Sequence, residues 1–569
     1  MRAVLALTLL LSVTTVGASY VTTTEPTVQE FAGAPSAGNG TATAQSTTPT
    51  RGIDVESRFD EARAGESPAL DWSTERVDRA VAASERNLTV VATQGFYVSD
   101  ERAEPAAFLP NGTLVYYDDS HRVYFDVDPV PGERYTVEYV AAEHLDGDEC
   151  ESVTSEECTR NVVVRVNLTT GAEERVYGEV TPRIYSARWH DVDRLNETHL
   201  LVADIVDDGV YAVDTRDGSV VWRWNASAHY DRDQGGGAGD WTHINDVERL
   251  ADGSVMVSPR NMDEVVFLER GPDGWAVNES RTLGTDEDHS VLYEQHNPDY
   301  IPPAAGGPSV LVADSENGRL VEYRRTEAGW ERTWSWRDVR LQWPRDADRL
   351  PDGGTLVVDS HGDRVAEIGP RDEVVWSADV GMPYDVERLG TGDESAGGPA
   401  AQYRQLVSER PGTARDVVAN VTGGVAGSRD GFDRSLVDRF WLGLKDLVPS
   451  LVANGLLYVA PAWVRFSDLV FTAVACGGAL GWVTAEVYWS RYSSEGVPPG
   501  TTAVRQRRRQ TRRSVVGHRV PAPFLSSASF QCVYEFFSID RRSTNPRGSG
   551  PVGCDCRPRC RRPATSVRP

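Results

Sequence analysis

Between residues 85 and 425, short apolar runs alternate with polar turns at a recurring spacing. Asp191 opens DVDRLNETHLLVADIVDDGVYAVDTRDGSVVWRW, Asp246 opens DVERLADGSVMVSPRNMDEVVFLERGPDGW, and Asp346 opens DADRLPDGGTLVVDSHGDRVAEIGPRDEVVWSADV. A longer-looped copy runs from Asn297 to Trp336, another begins at Asp385, and a looser one spans Phe108 to Val127. Each unit carries four runs rich in β-branched and aromatic residues, the pattern of short strands. Turn pairs such as Asp217-Gly218, Asp252-Gly253 and Asp352-Gly353 separate them. A period of ~40–55 residues with four strands per unit is that of propeller blades. A solenoid or a β-sandwich accounts less well for four strands per unit. The expected fold is therefore all-β, a six-bladed β-propeller over residues 85–425.

The flanks follow other patterns. Arg2 and the apolar run from Ala3 to about Leu11, followed by Val16-Gly17-Ala18, read as a signal peptide or signal anchor over residues 1–18. Residues 19–84 form a Thr/Ser/Pro-rich spacer without the apolar content for a core. Residues 426–490 hold two apolar runs, Leu447–Val464 and Leu469–Trp489, each about long enough to span a bilayer. They define a membrane-associated region of C-terminal transmembrane helices. The expected location is the cell membrane, with the propeller on the extracellular side. Eight N-x-S/T sequons, all in the acidic body, fit export.

Composition sharpens this picture. The 569 residues carry a net charge of −27, with Lys445 the single lysine among 58 basic residues. Residues 491–569 alone are net +12, so the first 490 carry −39. A body this acidic repels phosphate backbones, which excludes nucleic acid as its partner. Abundant acid with almost no lysine suits concentrated salt and points to a halophilic archaeon. The arginine-rich tail, with QRRRQTRR and CDCRPRC, reads as a basic arm, a Cys-rich metal tract or out-of-frame translation. The last is preferred, so the tail is assigned no function and is expected to be disordered. Cys150 and Cys158 are the two cysteines that precede the apolar region, and their short polar loop suits a disulfide; a metal pair is the rival reading, with no third or fourth ligand of matching spacing nearby.

Candidate chemistry emerges when the units are aligned on their first strand. His190, Asn245, His296, Arg345 and Tyr384 then stand just before the repeated acidic pattern. Two residues earlier stand Arg188, His243, Glu294, Trp343 and Met382, on the same side by period-two geometry. If the first strand is innermost, these positions ring the central channel. The turn SPRNMD brings Arg260 to the same face. His190, His243, Asn245, Arg260, His296 and Arg345 are thus expected at one mouth, with Trp343 and Tyr384 as candidates for aromatic recognition. Neutral imidazole is a nucleophile and base near neutral pH. Arginine matches two oxygens of a tetrahedral anion, and Asn245 adds a donor. Glu294 is the one acid at the ring positions considered. A locally cationic pocket is expected, suited to sulfuryl or phosphoryl transfer rather than a divalent metal, with no cofactor. Singly, a histidine at a strand start is more often structural; the set jointly points to a site. The Arg-Leu and Asp-Gly repeats read as architectural.

These motifs resemble a family. WTHINDVE at 241–248, the arginine in MVSPRN at 256–261 and QHNPD at 295–299 are similar to the PAPS-independent arylsulfotransferases, and within them to a halophilic archaeal branch. The resemblance covers roughly residues 85–400. It implies a six-bladed propeller that moves a sulfuryl group from a phenolic sulfate ester to a phenolic acceptor through a sulfohistidine. It assigns the nucleophile to His296, sulfate binding to His243, Asn245 and Arg260, and the remaining histidine of the site to His190, which would protonate the departing phenoxide. Arg345 is added on register alone. The alternative is a non-catalytic surface propeller that binds an anionic or aromatic ligand. A quinone-dependent dehydrogenase is disfavoured, because the propeller has no vicinal cysteine pair.

Overall fold

The computed structural model describes residues 88–95, 103–108, 114–406, 408, 436–460 and 464–494, apart from 169, 238 and 273. Among them the strands form six antiparallel sheets of four strands, one with a short fifth, arranged as a six-bladed propeller. The innermost strands are Val123–Pro129, Val192–Asn196, Ile244–Arg249, His296–Ile301, Pro344–Asp346 and Pro383–Arg388. In five blades the chain runs outward through the three following strands. The sixth blade closes the ring differently. Its inner strand is the C-terminal Pro383–Arg388, and its outer three are Thr89–Thr93, Pro105–Phe108 and Leu114–Tyr117 from the N-terminal side. The Asp385 copy of the repeat is therefore one strand of a shared blade.

The repeated acidic pattern has a structural cause. Four inner strands bulge at this point, with register shifts at Tyr124/Val127, Ile244/Val247, His296/Asp299 and Pro344/Asp346. Each innermost strand is also a sheet edge, which leaves backbone groups without a ladder partner, and the acids take up such N–H groups across the blade boundary. Asp126 accepts from Val192 N (3.1 Å), Asp385 from Val127 N (2.7 Å) and Asp346 from Val386 N (3.2 Å), while Asp191 accepts from Val247 N. Glu248 accepts from Tyr300 N at 3.0 Å. The following arginine reaches the preceding blade: Arg194 pairs with Glu138 (2.6 Å), Arg349 with Glu322 and Arg388 with Glu367 (both 3.1 Å).

The hydrophobic core is divided among the blade interfaces. Leu201, Val210 and Trp224 of one blade pack with Val247, Val257 and Val266 of the next. Ile301, Leu311 and Trp334 meet Ala347, Val357 and Ile368 in the same way. The Asp-Gly turns use glycine where φ is positive, at Gly253 (+94°) and Gly353 (+91°). Cys150 and Cys158 are joined by a disulfide at the end of a long outer hairpin.

After the propeller come helices Leu436–Lys445, Ser450–Tyr458 and Phe466–Ser494. Of the two apolar runs, from which at least one span is expected, only the second is long enough as a helix to cross a bilayer among the described residues. The first apolar run becomes a helix of nine residues starting just after Pro449. At 1.5 Å per residue it covers ~14 Å, under half of a bilayer core. Among the described residues one helix is long and apolar enough to cross a membrane, over Phe466–Ser490. The signal segment, the spacer and residues 495–569 of the basic tail lie outside the described residues.

Candidate functional site

The inner strands carry one residue each to the channel mouth, just before the acidic pattern. The set is Phe125, His190, Asn245, His296, Arg345 and Tyr384. Phe125 was missed, although the signal FDVDP stands in the sequence; its unit is the looser one. The rings gather closely. Phe125 lies 4.4 Å from His190 and 4.8 Å from Tyr384 by centroid, and Tyr384 lies 5.8 Å from His190 and 6.1 Å from His296. His243 lies 5.0 Å from His190.

Period-two reasoning does not describe how His243 arrives. His243, Glu294, Trp343 and Met382 all have positive φ, at 47°, 44°, 60° and 47°. The chain turns through the left-handed region there instead of extending. Such conformations cost on the order of 1–3 kcal/mol each in side-chain-bearing residues. Their recurrence at one register in four blades makes this turn part of the repeat.

The hydrogen bonds set the histidine tautomers. His296 Nδ1 contacts the Glu294 carbonyl (3.1 Å) and Ser315 Oγ (2.9 Å). A carbonyl only accepts, so Nδ1 carries the hydrogen and Nε2 the lone pair. Ser315 in turn donates to the Pro344 carbonyl at 2.6 Å, leaving its oxygen free to accept. His296 Nε2 is buried without a hydrogen-bond partner. His190 Nδ1 donates to the Arg188 carbonyl (3.1 Å) and His243 Nδ1 to the Asp240 carboxylate (2.6 Å). All three rings thus present a basic Nε2. Burial holds His296 and His190 well below the ordinary histidine range, assisted by Arg345 and Arg260 at His296 and by His243 and Arg188 at His190. His243 is lowered by burial and Arg260, against the pull of Asp240. In this tautomer and charge state His190 has no Nε2 proton to give.

Two arginines frame these rings. Arg260, at the turn between the second and third strands of its blade, lies 3.6 Å from Asp240 and 3.7 Å from Glu294. Arg345 is buried, its guanidinium 3.6 Å over the Trp343 ring, and its Nε makes no hydrogen bond. Burial lowers its pKa to about 10. Asn245 is fully buried and donates to the Gln295 carbonyl at 2.8 Å, so it braces the residue before His296. Trp343 also stacks on His361 (4.4 Å) and donates to Glu316 (2.8 Å). Sequence reasoning passed over Ser315, Asp240 and His361. Ser315 and His361 occupy the turn equivalent to that of Arg260, which was the signal that located Arg260.

Below the mouth the channel turns acidic. The channel is lined by Asp126, Asp128, Asp191, Asp246, Asp346 and Asp348, with further carboxylates beside them. Burial and mutual repulsion push these groups well above the usual carboxylate range. The expectation of a locally cationic pocket covered the residues before each acid and did not extend to the acids themselves. Among the described residues no three His, Cys, Asp or Glu side chains converge in metal-ligating geometry. The site is a cationic and imidazole-rich rim above an acidic shaft.

Fold and site together define a six-bladed propeller with a histidine- and arginine-lined mouth. A family model described as Arylsulfotransferase (ASST) matches residues 169–328, and this match supports that family. The matched stretch contains His190, His243, Asn245, Arg260 and His296; Trp343, Arg345 and Tyr384 lie beyond it. No curated protein matches the chain. Solved structures similar to it include a protein described as a 6-phosphogluconolactonase from Bacteroides fragilis, 9% identical, covering 55% of this chain and 100% of that one at a TM-score of 0.36. Another is the periplasmic gluconolactonase PpgL of Pseudomonas aeruginosa, 12% identical, covering 54% and 99% at a TM-score of 0.35. At these values neither likeness carries an argument about function.

Proposed function

We propose that the protein transfers a sulfuryl group from a phenolic sulfate ester to a phenol, with His296 as the covalent nucleophile. The observation that carries the reading is the buried, unpartnered Nε2 of His296, its lone pair oriented by Ser315 and set among the charges of Arg260 and Arg345. His296 Nε2 attacks sulfur and the sulfur–phenoxide bond breaks, leaving an N-sulfonated imidazole. Arg260 and Arg345 stabilise the charge on the sulfate oxygens and the departing phenoxide. Tyr384 stays protonated, because burial raises its pKa, and its unpartnered hydroxyl can donate to the same oxygens. An acceptor phenol then gives its proton to His190 or His243 Nε2 while its oxygen attacks sulfur and the N–S bond breaks. The scheme needs no nucleotide sulfate donor and no metal. In a halophilic archaeon the propeller would act outside the cell, held to the membrane by the helix Phe466–Ser494.

The test is transfer from a chromogenic aryl sulfate to phenol in molar salt, using the full chain. We expect phenol-dependent release of the chromophore and a stoichiometric sulfuryl adduct on His296 when donor is supplied alone. His296→Ala should lower kcat by about 10³-fold or more. A folded protein that turns over no aryl sulfate would instead favour a non-catalytic propeller that binds an anion at the same rim.

A further inference from the structure

The helices that follow the propeller rest on the face where the rim opens. Lys445 Nζ donates to the Leu341 carbonyl at 3.0 Å, and Asp446 pairs with Arg337 at 2.8 Å. Asn454 is buried; its Nδ2 donates to Glu316 Oε2 at 2.9 Å and its Oδ1 accepts from Gln342. Tyr458 meets the Trp343 ring edge-on, 5.7 Å between centroids. These anchors engage residues 337–343, which lead into the Arg345 strand, and the turn holding Ser315 and Glu316. Ser315 touches His296, and Trp343 covers Arg345. The helix Ser450–Tyr458 is thus one side chain removed from the proposed nucleophile's support.

That helix has two faces with different fates. Ala453, Asn454 and Leu457 are buried. Leu451, Val452 and Leu456 are exposed, as are the flanking Leu447 and Val459. The next helix exposes Val474, Leu480, Val483 and Val487, and ends its apolar stretch on exposed Tyr488 and Trp489. That stretch, Phe466–Ser490, is 25 residues long and mostly unburied. At 1.5 Å per residue it measures ~37 Å, enough to cross a ~30 Å hydrocarbon core with some tilt. Aromatic residues at its end suit the water–lipid interface. Length, apolarity and the terminal aromatics point to a bilayer as what covers these faces.

We infer that the rim lies against the membrane surface, and that one substrate is a bilayer-resident phenol or phenolic sulfate, an amphiphile with its aromatic head at the interface. This rests on the transferase reading above. An interfacial amphiphile is concentrated in the same thin layer as the rim, which raises its effective concentration over that of a phenol dissolved in water. Trp343, His361, Tyr458 and Tyr384 offer its head group aromatic surfaces beside Arg345.

The experiment compares two acceptors with the full chain in phosphatidylglycerol vesicles in molar salt: phenol, and a long-chain alkylphenol carried in the vesicles. The chain is expected to float with the vesicles. Its kcat/KM for the alkylphenol should exceed that for phenol by about tenfold or more. The double substitution Leu451→Glu with Leu456→Glu should erase this advantage and leave turnover of phenol within about twofold, since neither residue touches the rim. Equal use of both acceptors by the unaltered chain, or equal slowing of both in the variant, overturns the inference while leaving the transferase reading intact. A chain that stays off vesicles and migrates as a dimer also overturns it, by giving the apolar faces to a second copy. Folded protein that turns over neither acceptor sinks the transferase reading itself, and this inference with it.

Discussion

His296 illustrates how much one side chain depends on its neighbours. The Glu294 carbonyl and Ser315 hold its Nδ1 hydrogen, which leaves Nε2 as the reactive atom. Burial and the Arg345 and Arg260 charges keep the ring neutral below the usual histidine value of about 6.5. The active form is the neutral one, so lowering the pKa extends activity toward acid. The kcat/KM profile should therefore stay level as pH falls through 6.5 and decline only below it. Arg345→Gln removes one source of the depression. Besides a loss of about 10²-fold in rate, its acid limb should move up toward the ordinary histidine value. A rate loss with an unmoved limb would assign Arg345 to substrate binding alone. At this scale the sequence was informative where residue type and register coincide. His190, His243, Arg260 and His296 could be located by aligning the repeats. Ser315 and Asp240 could not, because a serine in a turn and an aspartate in a loop occur everywhere in this chain. Their importance comes from which ring they touch.

The blade is the element that the repeat encodes. Its acids accept backbone N–H groups from the next inner strand, and its arginines reach back to a glutamate of the preceding blade. Arg349 and Glu322 are both fully buried. Glu322 also accepts from Ala401 N, tying the segment after the sixth inner strand to the fourth blade. Removing one partner of such a pair strands a buried charge. Glu322→Ala should therefore cost about 3–5 kcal/mol in denaturant unfolding, and adding Arg349→Met should recover a large part of that. A double variant no more stable than Glu322→Ala would contradict this account. The left-handed turns at His243, Glu294, Trp343 and Met382 were not foreseen, since no glycine marks them. The repeat signalled the strands clearly, while the turn entering each inner strand has variable residues and carries no composition cue.

Across the whole molecule the acids converge in the shaft. Burial raises Asp385 to about 6 and Asp393 to about 7, and Asp348 rises well above the usual range with both carboxylate oxygens unpartnered. A raised carboxyl contributes stability below its unfolded value of about 3.9, and that contribution is lost as pH rises through the folded value. The buried histidines act in the opposite sense: their lowered values contribute above about 6.5 and are lost in acid. Wild-type stability mixes the two, so one substitution separates them. Asp348→Asn should raise the melting temperature at pH 8 by about 3 °C or more, with a gain that shrinks as pH is lowered to 5. A gain that is constant with pH would trace the effect to packing rather than charge.

The sequence alone determined the blade count, the strand-rich middle and five of the six residues at the head of the inner strands, Phe125 being the one it missed. These follow from local pattern: alternation, Asp-Gly turns and a repeated acidic motif are properties of neighbouring residues. It also showed two apolar runs near the C-terminus, but not that the first forms a nine-residue helix, starting after Pro449, that docks beside the rim. Tertiary structure decided the rest. Ring closure through a shared sixth blade joins strands almost three hundred residues apart, and no local pattern records which strand completes a sheet. The acidic shaft arises because acids spaced along the chain for inter-blade bonds point to one axis once the ring closes. The tautomer of His296 and the aromatic cover of Arg345 likewise depend on contacts between blades, which exist only in the closed ring.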